Sequence, residues 1–471
     1  MFFNKTYSIN NIRKQVVGID KKVMTKNGKK VNYVNFDNAA STPTIKPVLN
    51  KLNNFLQWYS SIHRGTGYKS RISTDVYDKC HEIVGNFVNC DLDKNTVIFV
   101  KNTTEAINKL SYRLGLSKND IIITTLMEHH SNDLPWRNKS KTIHCNILDD
   151  GTLDLNFLEH KLKINKGRIK LVTVTGCSNV TGIVNDIHHI ATLAHKYNSK
   201  LLVDGAQLIP HRKINMKGYN SKDYIDFLVL SGHKMYAPFG SGALIGPKNI
   251  FLKGEPEYVG GGTISSVTQY NSYWADLPDK EEAGTPNVVG AVALAESCKI
   301  LDEIGMDNIK KHEKKLTKHI LKELKAINNL KLYSQFNNKK VKDTVGVISF
   351  NIQDIPHDLL AAILSYDYGI GVRNGCFCAH PYIHRLLNLS STEISKLQKN
   401  LIFKNLSSTP GLVRVSFGMY NTLDEIDYLL SSLKDIVKNK NQISNEYICN
   451  EKNGEYYPKQ IPQNMFSDFS I

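Results

Sequence analysis

Two short segments hold the residue types from which a reaction centre can be built. VDGAQ (203–207) and SGHK (231–234) each follow an apolar run, so Asp204, Gln207, Ser231, His233 and Lys234 are candidates for one rim of a sheet. A lysine at a strand end beside a buried acid suits pyridoxal phosphate. The lysine can take the cofactor's aldehyde as a Schiff base, and the acid can keep the pyridine nitrogen protonated, which makes the ring an electron sink. SGHK alone also describes an ordinary exposed lysine. The pairing with VDGAQ favours the cofactor.

A phosphate needs donors. VIFVKNTTEAINKL supplies a strand, a turn and a helix start, and Asn102 followed by Glu105 has capping-box spacing. Thr103 and Thr104 then sit where free N–H groups and the helix dipole favour an anion. Ser231 and His233 are further candidate donors. MEHHSNDLPW (127–136) follows another apolar run, so His129 can lie against the ring or serve a structural role.

The segment RNGCFCAHP (373–381) places two cysteines around one phenylalanine. It reads as a zinc knuckle, a packed fragment or a loop presenting a reactive thiol. Cys376, Cys378, His380 and His384 offer soft ligands, but C-x-C-x-H-x₃-H is not finger spacing, and one short loop rarely closes a tetrahedron. No metal is expected.

The elements that must position these residues are legible as a pattern. TVIFV (96–100), DIIITTL (120–126), LVTVTG (171–176), KLLVDGAQ (200–207), DFLVLSGHK (226–234) and GALIG (242–246) read as buried strands. IVNDIHHIATLAHKYN puts Ile183, Ile187, Ile190, Ala194 and Tyr197 on one helical face. Strands alternating with helices predict an α/β fold with a mostly parallel sheet, whose ligands sit at the carboxyl ends of the strands. A different texture begins near 299. A long basic helix (299–328) leads to KLYS, GVISFNI, the helix HDLLAAILSYD, IGVR, the cysteine loop, LVRVSF and the helix DEIDYLLSSLKDIV. The expected division is an N-terminal segment (1–35) packing on the smaller domain, a large domain (36–298), a small α/β domain with the cysteine loop (299–440) and a surface tail (441–471).

Composition narrows the class. The chain has 471 residues, is 41% hydrophobic and 22% charged, and shows no apolar run long enough to span a bilayer. The N-terminus lacks a signal-peptide core, and the eight cysteines are scattered apart from 376 and 378. A cytoplasmic protein is expected. The net charge of +16 comes mostly from dispersed lysine, which describes a solvated basic surface better than a nucleic-acid footprint.

With these residues in view, the chain resembles the cysteine desulfurases among the class V, fold-type I pyridoxal-phosphate enzymes, and within them the group II (Suf-type) branch. FDNAAST, IHRGTGYKSR, NTTEAIN, MEHHSN, SNVTG, VDGAQ, SGHKMYAPFG, GGGTI, EAGTPN, VRNGCFCAHP and VRVSFGMYNT occur in the family's order from residue 36 to about 430. The resemblance implies a seven-stranded sheet in the large domain and a homodimer. It implies that Lys234 binds the cofactor, Asp204 pairs with its ring nitrogen, Gln207 and Asn179 address its ring oxygen, and His129 stacks on it. Thr104, Ser231 and His233 would hold the phosphate, with Thr285 reaching the site of the other subunit. Arg414 would clamp the substrate carboxylate, with Asn38, His63 and Arg373 on the substrate side. Cys378 would take sulfur from L-cysteine as a persulfide, release alanine and pass the sulfur to an acceptor protein. Cys376 either relays that sulfur or packs.

Two features depart from the family: a longer segment at 388–410 and the tail. Two other readings stay open. One keeps the cofactor and changes the reaction to that of a selenocysteine lyase, aminotransferase or epimerase. The other is a non-catalytic basic scaffold or nucleic-acid-binding protein, against which the set of cofactor residues argues.

Overall fold

β-branched and leucine-rich runs with no polar face form strands only where both faces are covered. The computed structural model describes residues 6–333, 341, 343–402 and 409–470, and six of its strands follow the apolar runs above. They are β1 (Asn95–Val100), β2 (Ile121–Thr125), β4 (Ile169–Thr175), β5 (Lys200–Asp204), β6 (Phe227–Ser231) and β7 (Gly242–Pro247). A seventh, β3 (Lys141–Cys145), was not anticipated, because KTIHC is half-exposed and mixed in character. The sheet order is β1-β7-β6-β5-β4-β2-β3. Only β7 runs against its neighbours β1 and β6; the remaining pairs are parallel.

This topology gathers chemistry at one rim. Asp204 and Ser231 are the last residues of β5 and β6, and Asp204 lies in register with Thr175 of β4. At the end of β1, Asn102 caps helix α1 (Thr103–Arg113) by accepting from the Glu105 N–H at 3.1 Å. Glu105 reaches back to the Lys101 N–H, one residue before the cap, so the reciprocal half of the box is displaced. Gly242 lets this turn approach β7: a Cβ there would lie 2.5 Å from the Leu230 carbonyl oxygen and 2.9 Å from Asn102 Cα.

Helix α2 (Ile187–Lys196) buries Ile187, Ile190 and Ala194. Asp186 caps the helix by accepting from the His189 N–H, so Ile183 precedes it, in a bridge to Thr344, and Tyr197 is its C-cap. The long basic helix expected over 299–328 is two helices, α3 (Val288–Ile304) and α4 (Met306–Leu324), broken at Gly305 with φ 89°. Helix α3 is apolar on nearly every side and packs against the helices Lys46–Leu56 and Tyr68–Phe87.

Strands β8 (Leu330–Leu332), β9 (Val347–Ile352), β10 (Arg373–Gly375) and β11 (Leu412–Ser416) make an antiparallel sheet in the order β8-β9-β11-β10. Its core includes Phe350, Val413 and Val415, helix α5 (His357–Tyr368) and helix α7 (Leu423–Lys438). The N-terminal segment touches both cores: Ile12 and Val16 join the first cluster, Val34 and Phe36 the second. IGVR is split, since Ile370–Gly371 pairs in parallel with Val34–Asn35 while Arg373 begins β10. The 388–410 segment forms helix α6 (Ser391–Ile402); its residues 403–408, Ser334 of KLYS and residues 1–5 lie outside the described residues. Residues 441–471 carry a hairpin, Tyr447–Asn450 with Glu455–Pro458. It is fastened by Tyr447 donating to Asp367 at 2.9 Å and by Lys26 bridging Asp367 and Glu446. Among the described residues no helix is long and apolar enough to cross a membrane.

Candidate active site

At the carboxyl rim of the large sheet lies a cavity of about 270 Å³. Lys234 enters it from the turn after β6, Asp204 and Gln207 from the end of β5, and Asn179 from the loop after β4. Thr103 and Thr104 come from the start of α1, His129 from the turn after β2, and Ser231 and His233 from the residues just before the lysine. Arg414 of β11, Arg373 of β10 and Cys378 close it from the second sheet. Elements far apart in sequence therefore meet at one opening.

Burial sets the electrostatics. Desolvation pushes the Asp204 carboxyl up, opposed by the Ala206 N–H that its Oδ1 accepts at 3.0 Å and by Lys234. Desolvation pulls the Lys234 amine down to about 8, with Asp204 opposing and Arg414 adding to the drop. His129 is lowered to about 4 by burial, then by the nearby Lys234, His130 and Arg414 charges. Its Nδ1 accepts the Ser131 N–H at 3.1 Å, so the ring hydrogen is on Nε2. Burial and Lys234 lower His233 to about 4 as well.

Hydrogen bonds stiffen the walls. The Ser231 hydroxyl meets the Thr103 N–H at 2.9 Å and the Thr103 hydroxyl at 2.8 Å. Ser131, which sequence reasoning passed over, links His129 Nδ1 at 2.9 Å to Thr104 at 2.7 Å. Gln207 donates to the Ala39 carbonyl, and Asn179 donates to the Phe377 carbonyl at 2.8 Å. Asp37 was also missed, although it lies inside the FDNAAST motif. It pairs with Arg414 at 2.8 Å and faces Arg373 at 3.6 Å. Below the His129 turn, buried Glu128 accepts from Thr125, Asn132 and the Thr175 N–H.

Three expected residues are not in this cavity. Asn38 is buried in a polar knot, donating to the Asn35 and Ser416 carbonyls and accepting from the Tyr420 hydroxyl; its neighbours Ala39 and Ala40 line the cavity instead. His63 and Thr285 share a separate opening of about 480 Å³ with Arg64, Gly261 and Gly262, and the His63 ring stands between Asp78 and Asp279. The two loop cysteines differ. Cys378 is exposed, whereas Cys376 is half-buried and donates to the Pro410 carbonyl at 3.2 Å. Burial pushes the Cys376 thiol up to about 11. Among the described residues, no group of three or more His, Cys, Asp or Glu side chains is placed to hold a metal ion.

The model of the aminotransferase class-V family matches residues 34–429. The chain belongs to this family. Among relatives of this class-V chain, a probable cysteine desulfurase of Staphylococcus aureus is 36% identical over 91% of the chain and 97% of that protein. A cysteine desulfurase of Haloferax volcanii is 32% identical over 85% and 88%. The solved apo structure of a cysteine desulfurase from Thermococcus onnurineus NA1 superposes with a TM-score of 0.79 at 30% identity, covering 93% of this chain and all of that one. The class-V chain is thus a homologue of cysteine desulfurases, the activity its motifs predict.

Proposed function

We propose that the protein is a pyridoxal-phosphate-dependent cysteine desulfurase of the Suf-type branch, taking sulfur from L-cysteine onto Cys378 and leaving alanine. The residues fit the cofactor. One cavity holds an amine of lowered basicity, a buried acid, a neutral imidazole, and hydroxyls and N–H groups at a helix start. Lys234 would bind it covalently, Asp204 would face its ring nitrogen and His129 its ring. Asn179 and Gln207 would stand at its ring oxygen, and Thr103, Thr104, Ser231 and His233 at its phosphate. When bound, the group supplies an electron sink for a carbanion at the substrate Cα.

The chain's own residues do the rest. Arg414, whose buried Nε has no hydrogen-bond partner among the described residues, receives the substrate carboxylate with help from Arg373. Lys234, at about 8, gives and takes the substrate Cα proton near neutral pH. The Cys378 thiolate attacks the substrate sulfur: an S–S bond forms on Cys378, the substrate Cβ–S bond breaks, and a proton completes alanine. His63 and Thr285, at their separate opening, would serve the site of a second copy in a homodimer. The exposure of Cys378 suits delivery to an acceptor protein, and eight free thiols suit the cytoplasm.

One observation carries this reading: Lys234, Asp204, His129, Arg414 and an exposed Cys378 line the same cavity. The test is Cys378→Ala, assayed for alanine release and protein-bound persulfide with L-cysteine. Both should vanish. Undiminished cysteine turnover would remove Cys378 from the reaction, and selenocysteine cleavage surviving alone would assign a lyase.

A further inference from the structure

The turn carrying Cys378 has a backbone its residues do not favour. Phe377 and Cys378 lie consecutively in the left-handed region, at φ 51° and 54°. Neither is glycine or asparagine, so the conformation persists only where neighbours over-determine it. On one side Asn179 Nδ2 holds the Phe377 carbonyl. On the other, the His130 N–H donates to the Cys378 carbonyl at 2.7 Å.

The His130 side chain continues the clamp. Its Nε2 lies 2.9 Å from His380 Nδ1 and 3.4 Å from the His380 backbone nitrogen. A peptide N–H can only donate, so His130 Nε2 is the acceptor and His380 Nδ1 carries the hydrogen. The two ring planes lie within 13° of parallel with centroids 4.8 Å apart, so the rings meet edge to edge, as an in-plane hydrogen bond requires. His130 thus grips the cysteine turn at residue 378 with its backbone and at residue 380 with its ring. It also directly follows His129, which lines the cavity.

We propose that His380 is a positioning residue for Cys378: by donating from Nδ1 to His130, it locks the thiol-bearing turn to the His129 turn. This rests on the reading of Cys378 as the thiol that accepts sulfur. It predicts that the donor, and not the ring as such, matters. Asn at position 380 can place its amide N–H where the imidazole Nδ1–H now lies, while Ala cannot.

The experiment compares His380→Ala, His380→Asn and the parent, each loaded with cofactor. Hydrogen–deuterium exchange of the peptide 373–386 and single-turnover persulfide formation on Cys378, read by mass spectrometry, are followed together. Loss of one hydrogen bond should make His380→Ala exchange about tenfold faster and form persulfide about tenfold more slowly, with KM for cysteine changed less than about twofold. His380→Asn should stay within about threefold of the parent on the same scale. The proposal is overturned if His380→Ala matches the parent in both readouts, or if His380→Asn falls as far as Ala. Cys378→Ala is run alongside. If it still releases alanine, the reading of Cys378 fails, while the exchange measurement still decides whether the clamp exists.

Discussion

Arg414 and Asp37, which bridges to Ser416 of the arginine's own strand, form an ion pair at the rim of the site, with Nη2 2.8 Å from Oδ1 and the guanidinium almost wholly buried. The same side chain donates from Nη1 to the Asn179 carbonyl at 3.1 Å and lies 4.8 Å over the Phe377 ring. Asp37 thus orients the group that receives the substrate carboxylate. Asp37→Ala would leave a buried cation unpaired, and breaking such a pair costs about 3 kcal/mol. The melting temperature should fall and KM for cysteine should rise about tenfold, the equivalent of roughly 1.4 kcal/mol of binding. Asp37→Asn, which can still accept a hydrogen bond, should fall between. A KM that drops in Asp37→Ala would instead make Asp37 a competitor of the substrate.

The two cysteines of the loop should separate cleanly in reactivity. Only a thiolate attacks, and Cys376 is held protonated by burial to about 11 while it donates to Pro410. Iodoacetamide at pH 7.5 should label exposed Cys378 well before Cys376, as read by peptide mass spectrometry. Cys376→Ala should keep activity within about threefold, the effect of one modest hydrogen bond. Loss of persulfide transfer in that variant, with persulfide formation intact, would restore the relay role.

The contrast between these cysteines marks what the sequence could carry. Apolar runs announced β1, β2, β4, β5, β6 and β7 because strands buried on both faces must be continuously hydrophobic. The polar residues after them were therefore legible as a rim, and most of the expected site residues do line one cavity. Half-exposed β3 gave no such signal. Asp37 and Ser131 were passed over because their importance is relational: one matters through Arg414, the other through His129 and Thr104. The break at Gly305 was available in principle, as a glycine inside a helical pattern, but α3 and α4 share a helical texture on both sides of it. Nothing in the order of residues distinguishes Asn38, folded into a polar knot, from a cavity-facing asparagine.

Lys234 should lose its proton at an unusually low pH for a lysine. With the group lowered to about 8, the free amine grows in as pH rises through that value and not through the ordinary range near 10.5. Uptake of pyridoxal phosphate by protein freed of cofactor, followed by visible absorbance, should therefore accelerate with a midpoint near pH 8. Asp204→Asn removes the negative charge that props the amine up, so the midpoint should move lower. Lys234→Ala should show no covalent uptake after borohydride treatment. A midpoint above pH 10 in the parent would contradict the burial of this amine.

Stability against pH in the cofactor-free protein should bend from both sides. His129 and His233 are lowered to about 4 in the fold, while unfolded histidine titrates near 6.5. Between those values the unfolded chain binds more protons, so their contribution is complete above about pH 6.5 and is lost as pH falls toward 4. Glu128 has the opposite sign. Burial raises its carboxyl to about 8, so the folded state holds a proton that the unfolded chain has released. Its contribution is complete below about pH 4.5 and is lost as pH rises toward 8. Melting temperatures of the parent, His129→Asn and Glu128→Gln across pH 4–9 check both. The difference curve for Glu128→Gln should slope only between about pH 4.5 and 8, and that for His129→Asn only between about 4 and 6.5. A flat difference curve for Glu128→Gln would mean that the carboxyl beneath the His129 turn is ionised in the folded protein, with Asn132, Thr125 and the Thr175 N–H outweighing its burial.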